Sequence, residues 1–175
     1  MTIPNLITIA RLLIVPLVIV MIGQGRWATA FVLFVVAGIS DAVDGFIAKR
    51  FDMRSEFGAY IDPLADKALL VSIYVTLSIV GVLPGWLAVL VVSRDVMIVA
   101  AILLSWVMDR PVEIRPLLVS KLNTGVQIAF AALVLSTRAF AIDLGLLDEI
   151  GLLVAALTVA SAGAYLALWL RHMAA

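Results

Sequence analysis

The chain has no cysteine, a single histidine and few charges, since only 14% of its 175 residues are Asp, Glu, Lys or Arg. Without cysteine there can be no disulfide, thiolate-bound zinc, iron–sulfur cluster or thiol nucleophile, and any metal must be held by oxygen ligands. The one histidine, His172, stands beside Arg171 near the C-terminus, so Ser93 and Ser120 lack a partner for a serine hydrolase. Net charge is also missing: twelve basic residues balance twelve acidic ones, which leaves no electrostatic footprint for a nucleic-acid partner. What is present is apolar, 65% of residues with a mean hydropathy of +1.20. A water-soluble domain carries roughly a quarter of its residues charged. The composition is that of a chain embedded in a membrane.

Six apolar segments approach the ~20 residues that cross a hydrocarbon core. They are read at 11–23, 27–49, 58–80, 84–107, 118–137 and 149–170, within one domain covering 1–175 and without an internal repeat. Gly23–Gly25, Gly81–Gly85 and the 138–148 stretch punctuate them, and 52–57 and 109–116 form polar connections. The opening MTIPNLITIAR predicts a short interfacial helix ahead of the first span. It lacks the basic region that precedes the apolar stretch of a cleavable signal. The expected fold is therefore all-α and integral to the membrane, with six transmembrane helices. Arg11, Lys49, Arg50, Arg54, Lys67, Arg110, Arg115, Lys121 and Arg171 fall on one side of such a serpentine and Arg26 and Arg138 on the other. The positive-inside rule then puts both termini on the cytoplasmic side. Trp27, Trp86, Trp106 and Trp169 fall near span ends, as an aromatic belt would.

Ionisable side chains inside spans cost about 2.5–3.5 kcal/mol each on insertion scales, so each requires a reason. Asp41 and Asp44 stand at i and i+3 near the end of the second span, and Asp62 and Asp66 at i and i+4 near the start of the third. Each pair shares a helix face. A short connection makes the two spans antiparallel neighbours, so the faces are expected to meet near the cytoplasmic boundary. Four unscreened carboxylates would repel one another, whereas divalent cations let all four stay ionised. Oxygen-only ligation suits Mg²⁺, Mn²⁺ or Ca²⁺, and four carboxylates suffice for two ions, an arrangement typical of phosphoryl transfer. Gly45, Ala48 and Gly58 beside the same faces leave room for a ligand or for close helix packing. A divalent-cation carrier is the rival reading, since membrane carboxylates also line ion pathways. The aspartates stand at the edge of the spans rather than at the midplane, however, and no repeated pair of broken helices is visible.

The run Asp41-Ala-Val-Asp44-Gly45-Phe-Ile-Ala48-Lys49, followed by Gly58, Asp62 and Asp66 at four-residue steps, resembles the signature of the CDP-alcohol phosphotransferase family. The resemblance extends over the whole chain. It implies that Asp41, Asp44, Asp62 and Asp66 ligate two divalent cations, Mg²⁺ or Mn²⁺, and that Asp66 is also the general base. Asp44, Gly45, Ala48, Lys49, Gly58 and Asp62 would border the nucleotide. Lys49 stands where the family usually has arginine. The resemblance further implies a homodimer that transfers a phosphatidyl group from CDP-diacylglycerol to an alcohol, expelling CMP, in a bacterial inner membrane or an equivalent organelle membrane, with its active site on the cytoplasmic side.

The acceptor site is sought among Arg94, Arg115, Lys121 and Asn123. Arg94 lies beside Asp95 and can form a buried ion pair or bind an acceptor phosphate. Lys121 can bind phosphate or snorkel to the interface. The stretches 61–75, 92–101 and 119–129 resemble the mitochondrial-type cardiolipin synthases of the family. Asn123 occupies a position that is usually basic in the related phosphatidylglycerophosphate synthases. A less charged acceptor, phosphatidylglycerol rather than glycerol 3-phosphate, is the expectation. Two lipid substrates at one site also require a cleft open laterally to the bilayer.

Overall fold

The structure, a computed structural model, describes residues 3–50, 56–108 and 118–174, and the side chains of 10–41, 43, 67–105, 107–108 and 118–173. The described residues form six helices and no strand: α1 Ile3–Gly23, α2 Trp27–Arg50, α3 Glu56–Ile79, α4 Gly85–Val107, α5 Leu118–Phe140 and α6 Leu147–Ala174. Three segments are long and apolar enough to cross a membrane, Gly85–Ser105, Leu118–Phe140 and Leu147–Met173, while Ala10–Gly23, Trp27–Asp41 and Lys67–Ile79 are shorter apolar helical stretches. The shorter ones belong to the helices whose inner ends carry Arg11, the aspartates and Lys67.

The separate interfacial helix expected at the N-terminus does not exist. α1 runs unbroken from Ile3, with Pro4 in its first turn, where its missing N–H is harmless, and with Pro16 accommodated inside it. No glycine interrupts positions 5–22, and Arg11 is buried and paired with Asp41 of α2 rather than ending a helix at the interface. The turns fall where expected. Gly25 and Gly81 take φ of 69° and 75°, a left-handed conformation that glycine adopts without a Cβ penalty. The 141–146 connection is closed by the Gly145 N–H donating to Asp143 Oδ1 at 3.1 Å.

Helix packing follows the buried stripes. Val15, Val18 and Ile22 on α1, Ala30, Phe34 and Ala37 on α2, Ile73, Tyr74 and Leu77 on α3, Leu87 and Val91 on α4, Phe130, Ala131 and Val134 on α5, and Val154 on α6 are buried, at three- and four-residue spacings within each helix. α1 packs on α2 and α3, α5 on α2, α3 and α6, and α4 on α3 and α6. Among the described residues no Cα atom of α2 comes within 8 Å of one of α3. α1 and α5 each pack against both α2 and α3, and the expected meeting of the aspartate faces falls on side chains outside the described residues. Phe31 of α2 meets Phe140 of α5 edge-on, with ring centroids 5.8 Å apart, which brings the beginning of α2 to the end of α5.

Trp169 also has a packing role. Its indole Nε1–H donates to the Ala101 carbonyl at 3.1 Å and to Ser105 Oγ at 2.8 Å, so it ties α6 to α4. Trp86 is 50% exposed, consistent with a belt position. The Trp106 side chain lies outside the described residues.

Candidate active site

The inward stripes change character at one end of the bundle. On α1 the series Ile22, Val18, Val15 continues to Arg11; on α2 the series Ala30, Phe34, Ala37 continues to Asp41; on α4 Leu87 and Val91 lead to Arg94 and Asp95. α5 runs back from Val134 and Phe130 to Gln127 and Asn123, and α6 forward from Val154 to Thr158 and Ser161. Because the helices alternate in direction, these polar ends share one level. On α3, Asp62 and Asp66 hold the backbone positions eight and four residues before Leu70, on the stripe that continues to Ile73 and Leu77. Among the described residues α1, α2, α4, α5 and α6 thus carry polar residues at this end of their inward faces and mainly apolar ones at the other.

Buried polar groups need partners, and these are found across helices. Arg11 is 1% exposed, and its Nη1 lies 3.0 Å from Asp41 Oδ1, whose side chain is 47% exposed. Arg94 donates from Nη1 to Asp95 Oδ1 at 2.5 Å, from Nε and Nη2 to Ser161 Oγ at 3.3 and 2.9 Å, and from Nη2 to Ser120 Oγ. Its guanidinium also lies 5.8 Å from the centre of the Tyr165 ring. Lys67 Nζ donates to the same Asp95 oxygen at 3.1 Å. On the other side of α5, Gln127 Nε2 donates to Thr158 Oγ1 at 3.0 Å, and Thr158 Oγ1 lies 3.0 Å from Asn123 Oδ1 and 2.8 Å from the Val154 carbonyl, which share its one proton. The Tyr74 hydroxyl donates to the Gln127 carbonyl at 3.0 Å and fastens α3 to α5.

Between α2 and α3 these groups enclose a cavity of about 140 Å³. Arg11 and Asp41 line it from one side, Lys67 and Asp95 from the other, and Thr124 and Gln127 from α5, above apolar walls that include Phe34, Leu69 and Leu70. Asp41 is therefore in the cavity, as expected. The side chains of Asp44, Gly45, Ala48, Lys49, Gly58, Asp62 and Asp66, and Arg115 altogether, lie outside the described residues. Among the described residues no three His, Asp or Glu side chains come together in a metal-binding group.

Divalent cations are compatible with the residues that are described. A carboxylate accepts at about four lone-pair positions, so the Arg11 contact leaves Asp41 with unused ligating capacity. Asp41 faces, across the cavity, the helix on which Asp66 immediately precedes Lys67.

The expected acceptor residues divide. Arg94 is buried and reaches the cavity only through Asp95. Lys121 is exposed and does not line the cavity. Asn123 is fully buried with its oxygen toward Thr158 of α6, and its Nδ2 has no hydrogen-bond partner among the described residues. Sequence reasoning passed over Arg11, Asp95 and Gln127 as site residues and counted Lys67 only as a boundary charge. The signal available was the continuation of each inward apolar stripe into a polar residue at the same end of every helix.

With this geometry in view, the class is settled by comparison: the family model for CDP-alcohol phosphatidyltransferases matches residues 1–164, and the chain belongs to that family. Among named relatives it is 37% identical over 145 residues to a Drosophila melanogaster protein named "Probable cardiolipin synthase (CMP-forming)", covering 74% of this chain and 45% of that one. It is 32% identical to the Homo sapiens "Cardiolipin synthase (CMP-forming)", covering 79% of this chain and 52% of the human one. A Mycobacterium tuberculosis "Probable phosphatidylglycerophosphate synthase" is 39% identical over 97 residues, covering 52% of this chain and 46% of the relative. The chain thus spans about half the length of these relatives.

Proposed function

We propose that the chain transfers the phosphatidyl group of CDP-diacylglycerol to phosphatidylglycerol, giving cardiolipin and CMP. The single observation that carries this reading is the cavity between α2 and α3, with Asp41 on one wall and the Asp66-bearing helix on the other. Similarity to proteins named as cardiolipin synthases over about three quarters of the chain supports the choice of acceptor.

In this reading Asp41, Asp44, Asp62 and Asp66 hold two divalent cations, Mg²⁺ or Mn²⁺, which when bound neutralise the pyrophosphate of the nucleotide lipid. Gly45, Ala48 and Gly58 border the nucleotide, with Lys49 beside its phosphates. Asp66 accepts the proton of the acceptor hydroxyl as that oxygen attacks the lipid-side phosphorus. One oxygen–phosphorus bond forms, the bond from that phosphorus to the CMP oxygen breaks, and CMP leaves with the electron pair. Arg11 holds Asp41 in place through its 3.0 Å contact. Arg94, Arg115, Lys121 and Asn123 serve the acceptor side, Arg94 through Asp95. The fold crosses the membrane six times as a single domain, in a homodimer. Its active site opens on the cytoplasmic side of a bacterial inner membrane, or on the equivalent side of an organelle membrane. The family signature supports the dimer, and the distribution of Lys and Arg supports the orientation.

A second reading, phosphatidylglycerophosphate synthesis from glycerol 3-phosphate, is favoured by the similarity to the mycobacterial relative. The two are separated by CMP release from purified protein given CDP-diacylglycerol, Mg²⁺ and one acceptor at a time. Cardiolipin synthesis predicts release with phosphatidylglycerol, none with glycerol 3-phosphate, and loss of release on adding EDTA. Release with glycerol 3-phosphate alone would replace the first reading by the second. Release that persists in EDTA would remove the metals from the mechanism.

A further inference from the structure

Lys67 has no part in the chemistry above, yet its side chain is 41% exposed and lines the same cavity as Asp41. An ammonium on a four-carbon stem is a mobile point charge, and it seeks the same carboxylate oxygens that a divalent cation needs. In a cavity of about 140 Å³ it is a built-in competitor for the metal position. Arg11, the other basic residue lining the cavity among the described residues, is 1% exposed and fixed by burial. Lys67 is the one with room to swing.

In the structure it is held aside. Lys67 Nζ donates to Asp95 Oδ1 at 3.1 Å, from α3 across to α4. The Asp95 side chain is 11% exposed, and the same oxygen accepts from Arg94 Nη1 at 2.5 Å. Arg94 is fixed in turn by Ser120 of α5 and Ser161 of α6. The carboxylate that receives the lysine is therefore anchored to α4, α5 and α6, and none of those helices carries Asp41, Asp44, Asp62 or Asp66. With two cations on one oxygen, Asp95 is itself a poor ligand for a third.

We infer that Asp95 is a positioning residue that sequesters the Lys67 ammonium, keeping it from Asp41 and the other carboxylates assigned to the metals so that divalent cations can take them. The inference rests on the metal-dependent transfer reading and adds to it a residue that sets metal affinity without ligating a metal. Neutralising Asp95 releases a cation into the metal's place. Neutralising Asp95 and Lys67 together releases none, so the second substitution repairs the first.

The test is a double-mutant cycle read by equilibrium Mn²⁺ binding to the purified protein in detergent, without substrate, followed by electron paramagnetic resonance. Asp95→Asn is expected to weaken Mn²⁺ binding about 10-fold, the scale of one charge-assisted contact. Lys67→Gln alone shifts it by less than about threefold, because the lysine is already held away, and Asp95→Asn with Lys67→Gln returns to within about threefold of the unmodified protein. If Asp95 ligates a metal or only braces the bundle, the double variant binds as weakly as Asp95→Asn. If the two charges act only through space, Lys67→Gln tightens binding by the same factor in both backgrounds. Either pattern overturns the inference, as does Mn²⁺ binding that Asp95→Asn leaves unchanged. The same cycle in Arg94→Met, where no buried guanidinium is left without its carboxylate, replaces the first if Asp95→Asn does not fold. Failure of the unmodified protein to bind Mn²⁺ removes the metal reading and the inference with it, whereas normal binding that is insensitive to Asp95→Asn removes the inference alone.

Discussion

Asp66→Asn is expected to lower turnover by at least about 10³-fold while leaving CDP-diacylglycerol bound, since general-base catalysis contributes roughly 10²–10⁴ and a ligand charge is lost with it. The substitution keeps the shape of the side chain and removes its capacity to take the acceptor proton. In the proposed reading Asp41, Asp44 and Asp62 remain to hold the nucleotide end of the donor. Single-turnover CMP release and equilibrium binding of CDP-diacylglycerol, measured on the same preparation, separate the two functions. If binding and turnover vanish together, Asp66 is part of the scaffold of the site and the base must be sought elsewhere. Turnover within tenfold of the unmodified protein would leave Asp66 with no chemical role at all.

The second large effect is on stability, and it comes from Arg94. The guanidinium is 4% exposed and serves Asp95, Ser120 and Ser161 on three helices. Removing Arg94 leaves Asp95 with only the half-exposed Lys67 and strips Ser120 and Ser161 of their donor, a cost at the lower end of the about 3–5 kcal/mol for breaking a buried pair. Arg94→Met should therefore lower the thermal midpoint in detergent by on the order of 10 °C, as expected for a chain of this size. Arg94→Lys should recover little, because an ammonium cannot reproduce the planar fork that reaches three partners at once. Adding Asp95→Asn to Arg94→Met should restore part of the loss, since the buried carboxylate left with Lys67 alone is then neutral. A midpoint for Arg94→Met within about 2 °C of the unmodified protein would mean that the network contributes nothing measurable.

These two residues illustrate what the sequence discloses and what it withholds. The aspartate pairs are legible because their spacing is local: three and four residues on a helix define a face without reference to anything else. Helix positions are legible for a similar reason, since apolar length and glycine punctuation are local properties, and α2, α4 and α5 begin where composition places them. Partners across helices are a different matter. Arg11 reads in sequence as a boundary charge, and nothing nearby in the chain announces that Asp41, thirty residues on, receives it. Arg94 and Asp95 read as an ion pair, which they are, but the serines that fix the arginine come from α5 and α6.

The remaining gaps share one cause. A short interfacial helix was expected before Arg11 because a charge inside a first span looks like a boundary; burial against α2 supplies the missing compensation, and α1 continues through it. The hydrogen bonds of the Trp169 indole to Ala101 and Ser105 of α4 were likewise not legible from its place near a span end. In each case the deciding partner belongs to a helix remote in sequence. Register between helices is set by the packed bundle, and a single helix does not carry it.

Phosphatidyl transfer to a lipid acceptor is tested most directly by following the lipid-side phosphorus. CDP-diacylglycerol labelled with ³²P at that atom is incubated with the purified protein, Mg²⁺ and unlabelled phosphatidylglycerol, and the products are separated into lipid and nucleotide fractions. Attack by the phosphatidylglycerol hydroxyl predicts label in cardiolipin and unlabelled CMP. Label recovered in CMP-derived nucleotide, or in phosphatidate with no cardiolipin formed, would contradict it.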